Sequence, residues 1–142
     1  KSTTQLVHYL VRAAGSGANF LMNVGPTPEG TFQPEVVQRL KEMGQWTGRY
    51  GETIYASEAG PMPSQEWGVT TRKDDKVYLH VLDPTAPEAL VLPGTEGLQV
   101  TRASLFGDGS EVTFSNTGGV TVNLPVAGRD SVDTIVVLEV GE

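Results

Sequence analysis

Two histidines, seventeen acidic side chains and no cysteine are the stock from which this chain could build a reactive site. Without cysteine there is no disulfide, no thiolate metal site and no thiol nucleophile. His8 and His80 stand far apart with no ligand pattern around either, so no metal site is expected and no cofactor is implied. Acid–base catalysis by carboxyl groups needs acids placed for proton transfer, and the sequence places its candidates elsewhere. Glu35 follows Pro34 at the start of a helical pattern, where a negative charge meets the positive end of the helix dipole. Glu29 sits in Thr27-Pro28-Glu29-Gly30-Thr31, a composition that favours a turn or a cap. No catalytic residue is assigned from these groups.

The elements that carry these residues change character partway along the 142-residue chain. Ser2, Thr3 or Thr4 can cap a first helix, in which Leu6, Val7, Leu10, Val11 and Ala14 recur at helical spacing until Gly15 and Gly17 end it. Asn19-Phe20-Leu21-Met22-Asn23-Val24 is an apolar run too short for a helix and reads as a buried parallel strand. Pro34 suits the first position of a second helix, with Val36, Val37, Leu40, Met43 and Thr47 on its inward face. Helix, strand, helix is half of a βαβ unit and brings no neighbouring strands, so this part is an incomplete domain.

From about Ser57 the pattern turns to period two. Seven strands are predicted: 66–72, 77–83, 89–92, 98–105, 111–115, 120–124 and 134–140, separated by Gly, Pro, Asp and Asn turns. Strands of this length and spacing argue for an antiparallel β-sandwich. The charge shifts at the same place: residues 1–57 sum to +1 and residues 58–142 to -8. The segment 58–64, with Gly60-Pro61 and Pro63, reads as a linker. The net charge of -7 argues against nucleic-acid binding, and no apolar run is long enough to span a membrane.

Gly17-Ala18-Asn19-Phe20-Leu21-Met22-Asn23-Val24-Gly25-Pro26, followed by Pro28-Glu29-Gly30-Thr31, resembles a stretch of the α-L-fucosidase family of glycoside hydrolases. Pro34-Glu35 through Leu40, Gly44, Trp46 and Gly51-Glu52-Thr53-Ile54-Tyr55 continues the likeness, as do Trp67-Gly68, Val77 to Leu82, Leu92-Pro93-Gly94 and Asp133 to Leu138. Glu29 stands where the family often has Asp, and Arg49-Tyr50 where it often has Asn before the glycine. The ordered match runs along nearly the whole chain.

The resemblance implies the C-terminal portion of a retaining α-L-fucosidase: the last helix-strand-helix of a (β/α)8 barrel over residues 1–57, then an antiparallel β-sandwich over 65–142. Such a barrel needs about 250 residues, so most of it lies outside this chain. The nucleophile and general acid of the family belong to that missing part, and the chain alone is expected to be inactive. Asn23, near the end of the barrel strand, is the one substrate-side candidate, set against a structural role bonding loop backbone. Trp46 is expected in packing. Trp67, Tyr78, Phe106 and Phe114 could stack on a sugar, but aromatic residues of half-buried strands usually form core. The parent would meet a fucosylated glycan through its barrel, the fragment could self-associate through its unpaired strand, and the resemblance implies a secreted, periplasmic or lysosomal setting. A carbohydrate-binding or purely structural accessory module is the alternative.

Overall fold

The computed structural model describes residues 2–18 and 27–141, so the expected strand Asn19–Val24, with Asn23, lies outside the described residues. Helix α1 spans Thr3–Gly15. The Ser2 side chain accepts from the Gln5 amide at 3.1 Å, while Gln5 Oε1 accepts from the Ser2 amide at 2.9 Å. This reciprocal pair satisfies two donors that a helix start leaves open. Helix α2 spans Pro34–Tyr50, with Pro34 opening it and Glu35 in its first turn, as the sequence predicts. A 3-10 turn, Gly51–Thr53, ends it.

Eight strands follow: β1 (Glu58–Ala59), β2 (Gly68–Lys73), β3 (Lys76–Val81), β4 (Ala89–Leu92), β5 (Val100–Leu105), β6 (Thr113–Ser115), β7 (Val120–Asn123) and β8 (Thr134–Val140). They form two antiparallel sheets, one in the order β1-β2-β3-β8-β5 and one in the order β4-β7-β6. The seven strands predicted from alternation correspond to β2 through β8. The additional strand, β1, falls at the start of the Gly/Pro-containing segment 58–64 and pairs Glu58 with Arg72 and Ala59 with Thr71.

The two sheets share one core. Val77, Leu79 and Val81 of β3 and Val136 and Leu138 of β8 meet Leu90 and Leu92 of β4 and Val120 and Val122 of β7. Successive side chains in a strand point to opposite faces, so the alternate residues Tyr78 and His80 of β3 must lie on the other side of the five-stranded sheet. That face is covered as well. Val7 and Val11 of α1 pack with Val69 and Leu82, joined by Trp46 of α2, Ile54 and Val132. The five-stranded sheet is therefore the middle layer of three.

Helix α1 is held to this layer by polar contacts from its middle and from its last turn. His8 Nε2 lies 2.7 Å from the Val132 carbonyl. The Arg12 guanidinium donates to Ser64 Oγ and the Gln65 carbonyl at 3.0 Å and to the Glu66 carbonyl at 2.7 Å. At the helix end, a Cβ on Gly15 would come within 2.8 Å of the Val69 side chain, so only glycine lets α1 sit this close to β2.

Leu138→Ala, at a position with 0% exposure, should lower the unfolding free energy by about 2–5 kcal/mol. Val91→Ala, at 66% exposure, should change it by less than about 0.5 kcal/mol. Urea titrations of both variants check the placement of the core, and equal losses would contradict it. Arg12→Met should release α1 locally, raising amide exchange in α1 by about tenfold while β3 and β8 keep their protection. Uniform acceleration across the sheet would mean that the clamp supports the whole fold.

Candidate functional site

Polar side chains converge in one place only partly legible in sequence, the helix-facing side of the five-stranded sheet. Period two puts Val69 and Thr71 of β2 and Tyr78 and His80 of β3 there, with Thr71 opposite Tyr78 and Val69 opposite His80. Asp133 immediately precedes β8, two positions before Ile135, which is the partner of His80 in the register. His80 Nδ1 lies 2.7 Å from Asp133 Oδ2, and His80 Nε2 lies 3.1 Å from Thr71 Oγ1. The Thr71 hydroxyl donates to the Thr53 carbonyl at 2.7 Å. Thr71 and His80 are 0% exposed and Asp133 is 2% exposed. Burial raises the Asp133 carboxyl above the usual carboxylate range, opposed by its interaction with the neighbouring His80.

Hydroxyl, imidazole and carboxyl in a row have the form of a nucleophile–base–acid set. The geometry denies them that role. The Thr71 proton is directed at the Thr53 carbonyl, and no member of the row is open to a substrate. The network instead ties β8, β3, β2 and the Gly51–Thr53 turn together. Beside it, Tyr78 donates to Glu52 Oε2 at 3.2 Å, and Lys73 Nζ donates to the Glu52 carbonyl at 2.7 Å. Burial first, and then the Glu52 charge, push the Tyr78 phenol up to about 12. Trp46, Tyr50, Phe106 and Tyr78 follow one another in aromatic contact, with ring centroids 5.4, 5.9 and 6.4 Å apart.

The other candidates fall as follows. His8 bonds the Val132 carbonyl and His80 bonds Asp133, and among the described residues no group of three or more His, Cys, Asp or Glu could hold a metal. Glu29 is exposed in a turn closed by the Gly30 amide on the Thr27 carbonyl at 2.9 Å and by the Thr27 and Thr31 hydroxyls at 2.9 Å. Trp46 packs into the helix-side cluster, while Trp67 and Phe114 pack against the main core. Tyr78 is buried, and Phe106 is half-buried against Tyr50 and Tyr78. Trp67, Tyr78, Phe106 and Phe114, the four candidates for stacking on a sugar, build packing layers rather than an open sugar-binding face.

Sequence reasoning missed the partnership of His80 with Asp133, although a signal was present: a histidine in phase with Tyr78 inside an apolar strand must find a polar partner. It also missed Arg129, whose guanidinium bonds the carbonyls of Pro84, Ala86, Pro87, Leu124 and Pro125. That side chain pins two loops of the sandwich and does no chemistry.

The α-L-fucosidase family model matches residues 1–52. An α-L-fucosidase of Dictyostelium discoideum is 33% identical over 141 residues, covering 92% of this chain and 31% of its own length. Isoenzyme 1 of the α-L-fucosidase of Paenibacillus thiaminolyticus has a solved structure that covers all of this chain and 35% of its own, at a TM-score of 0.86 and 31% identity. A GH29 α-L-fucosidase of Bacteroides thetaiotaomicron, solved as a trapped covalent intermediate with 2-fluoro-fucosyl fluoride, covers 100% of this chain and 33% of its own at a TM-score of 0.88 and 28% identity. The chain spans about a third of the length of these relatives. In sequence and in fold, the chain is similar to part of known α-L-fucosidases, consistent with a C-terminal portion of one.

Proposed function

We propose that this chain is part of an enzyme that hydrolyses α-L-fucosides with retention of configuration, and that it supplies the end of the catalytic barrel and the sandwich that supports it. The observation that carries the reading is a likeness that extends unbroken from the helices through both sheets of solved α-L-fucosidases. Retention draws support from the Bacteroides relative, trapped as a covalent intermediate. A glycosyl–enzyme formed with one inversion and released with a second gives back the starting configuration.

In this reading residues 1–57 belong to the barrel, 58–64 form the junction and 65–142 form the sandwich. Asn23, in the segment after α1, is the substrate-side candidate, and the two catalytic carboxyl groups are contributed from outside this chain. Five of the described carboxylates are already engaged, in line with that division. Glu52 and Asp133 are engaged by Tyr78 and His80, while Asp83, Asp108 and Asp130 accept from the backbone of their own turns. The helix layer also has the character of a surface built to be covered further, with Phe32 at 48%, Leu40 at 39% and Tyr55 at 59% exposure. The fucosylated glycan is met by the complete barrel, in a secreted, periplasmic or lysosomal setting.

The isolated chain should release no nitrophenol from an aryl α-L-fucoside, even at high protein concentration. Turnover that follows the chain through a sizing column would place the reactive groups within these 142 residues and overturn the division of labour. The same surface should make the isolated chain self-associate. Light scattering should give a mass above 15.2 kDa that falls toward it in Leu40→Lys, and a monomer at every concentration would contradict the covered-surface reading.

A further inference from the structure

The buried row on the sheet contains more information than its distances, because hydrogen bonds have direction. The Thr71 hydroxyl has one proton, and that proton goes to the Thr53 carbonyl. Thr71 Oγ1 can then only accept from His80, so His80 Nε2 carries a hydrogen. The remaining contact, His80 Nδ1 to Asp133 Oδ2 at 2.7 Å, needs one proton between the two atoms. It belongs either to an imidazolium facing a carboxylate or to a carboxylic acid facing a neutral imidazole.

Two observations choose between them. Both side chains are fully withdrawn from solvent, which penalises a pair of full charges far more than a neutral pair. The second carboxyl oxygen, Asp133 Oδ1, is buried with no hydrogen-bond partner. A carboxylate spreads its charge over both oxygens and would leave half of it unsupported, whereas the carbonyl oxygen of a neutral acid tolerates a bare site better.

We propose that Asp133 is a carboxylic acid that donates to His80 Nδ1, and that this proton latches the Gly51–Thr53 turn at the end of α2 to the five-stranded sheet. The order of donation is Asp133 to His80 to Thr71 to the Thr53 carbonyl. Loss of the proton to water reverses the row. The carboxylate then draws the imidazole hydrogen to Nδ1, and Nε2 becomes an acceptor. The Thr71 hydroxyl turns to Nε2, which leaves the Thr53 carbonyl without its donor. Other ionisable groups near Asp133 are His8 of α1, whose Nε2 is engaged by the Val132 carbonyl, and Asp130 of the preceding turn. Arg49 of α2 and Asp108 line an open cleft of about 230 Å³ that Asp130 and Asp133 also border. Neither Asp130 nor Asp108 can supply the missing donor to Oδ1 as a carboxylate.

Burial holds the Asp133 carboxyl above its ordinary 3.8. A carboxyl raised on folding stabilises the fold fully below its unfolded value and loses that contribution as pH climbs through the folded one. The stability of the protein relative to Asp133→Asn, whose amide can still donate to His80 Nδ1, should be level below pH about 4 and fall steadily above it. A difference that stays level above that pH means no proton is held and overturns the proposal. The position of the proton is read separately, by nitrogen NMR of the unaltered chain at neutral pH. A neutral ring with its hydrogen on Nε2 is expected for His80, and hydrogens on both nitrogens would establish the ion pair and overturn the latch. Asp133→Asn should keep Tm within about 5 °C of the parent, because the amide preserves the donor. A larger loss would mark the destruction of a charged pair.

Discussion

The five-stranded sheet is buried on both faces, and the rest of the molecule follows from that constraint. Along β3, Val77, Leu79 and Val81 serve the core shared with the three-stranded sheet, while Tyr78 and His80 face the helices. A sheet with one wet face would need polar residues at the second set of positions. Here the same short run of residues must satisfy two different partners at once. Antiparallel pairing makes this possible, because a fixed register carries both faces together from β2 through β3 to β8.

Two-sided burial also explains the polar network. Where α1 and α2 meet the sheet, the backbone at the helix end must place its carbonyls somewhere out of water. Thr53 and its carbonyl find Thr71, which in turn engages His80 and Asp133. Arg12 and Arg129 solve similar problems at loop edges, Arg12 by bonding two carbonyls and Arg129 by bonding five. These residues look like chemistry when met as letters, yet their geometry makes them fasteners. That is the division of labour proposed above, in which these residues support the fold and do not cleave a bond.

Much of this arrangement is legible in the sequence, for a physical reason. Period-two alternation is imposed by burial on one face at a time, and it located β2 to β8 to within a few residues of their ends. Of the caps offered by Ser2, Thr3 and Thr4, Ser2 is the one that bonds at the start of α1, and Pro34 marks the start of α2 through its fixed backbone angle. Strand β1 escaped because two residues cannot display a period, and its place in the sheet is decided by Arg72 and Thr71 across the register. The His80–Asp133 contact escaped because it joins positions 53 apart, so only the fold brings them together. Arg12 and Arg129 bond main-chain carbonyls, which every residue possesses, and no side-chain pattern announces such partners. Asn23 lies outside the described residues, and its role rests on the family likeness.

If the sheet is the middle layer of one unit, the helix side and the sandwich side must lose structure together. The chain contains a reporter for each: Trp46 in the cluster under the helices and Trp67 against the core between the sheets. Urea unfolding followed by fluorescence in Trp67→Phe and in Trp46→Phe isolates them, and each curve should be compared with circular dichroism of the same variant. The account predicts that fluorescence and circular dichroism coincide in both variants, as in a two-state transition. A Trp46 signal that changes well before the strands unfold would show the helices to be a loosely attached layer and contradict the central claim.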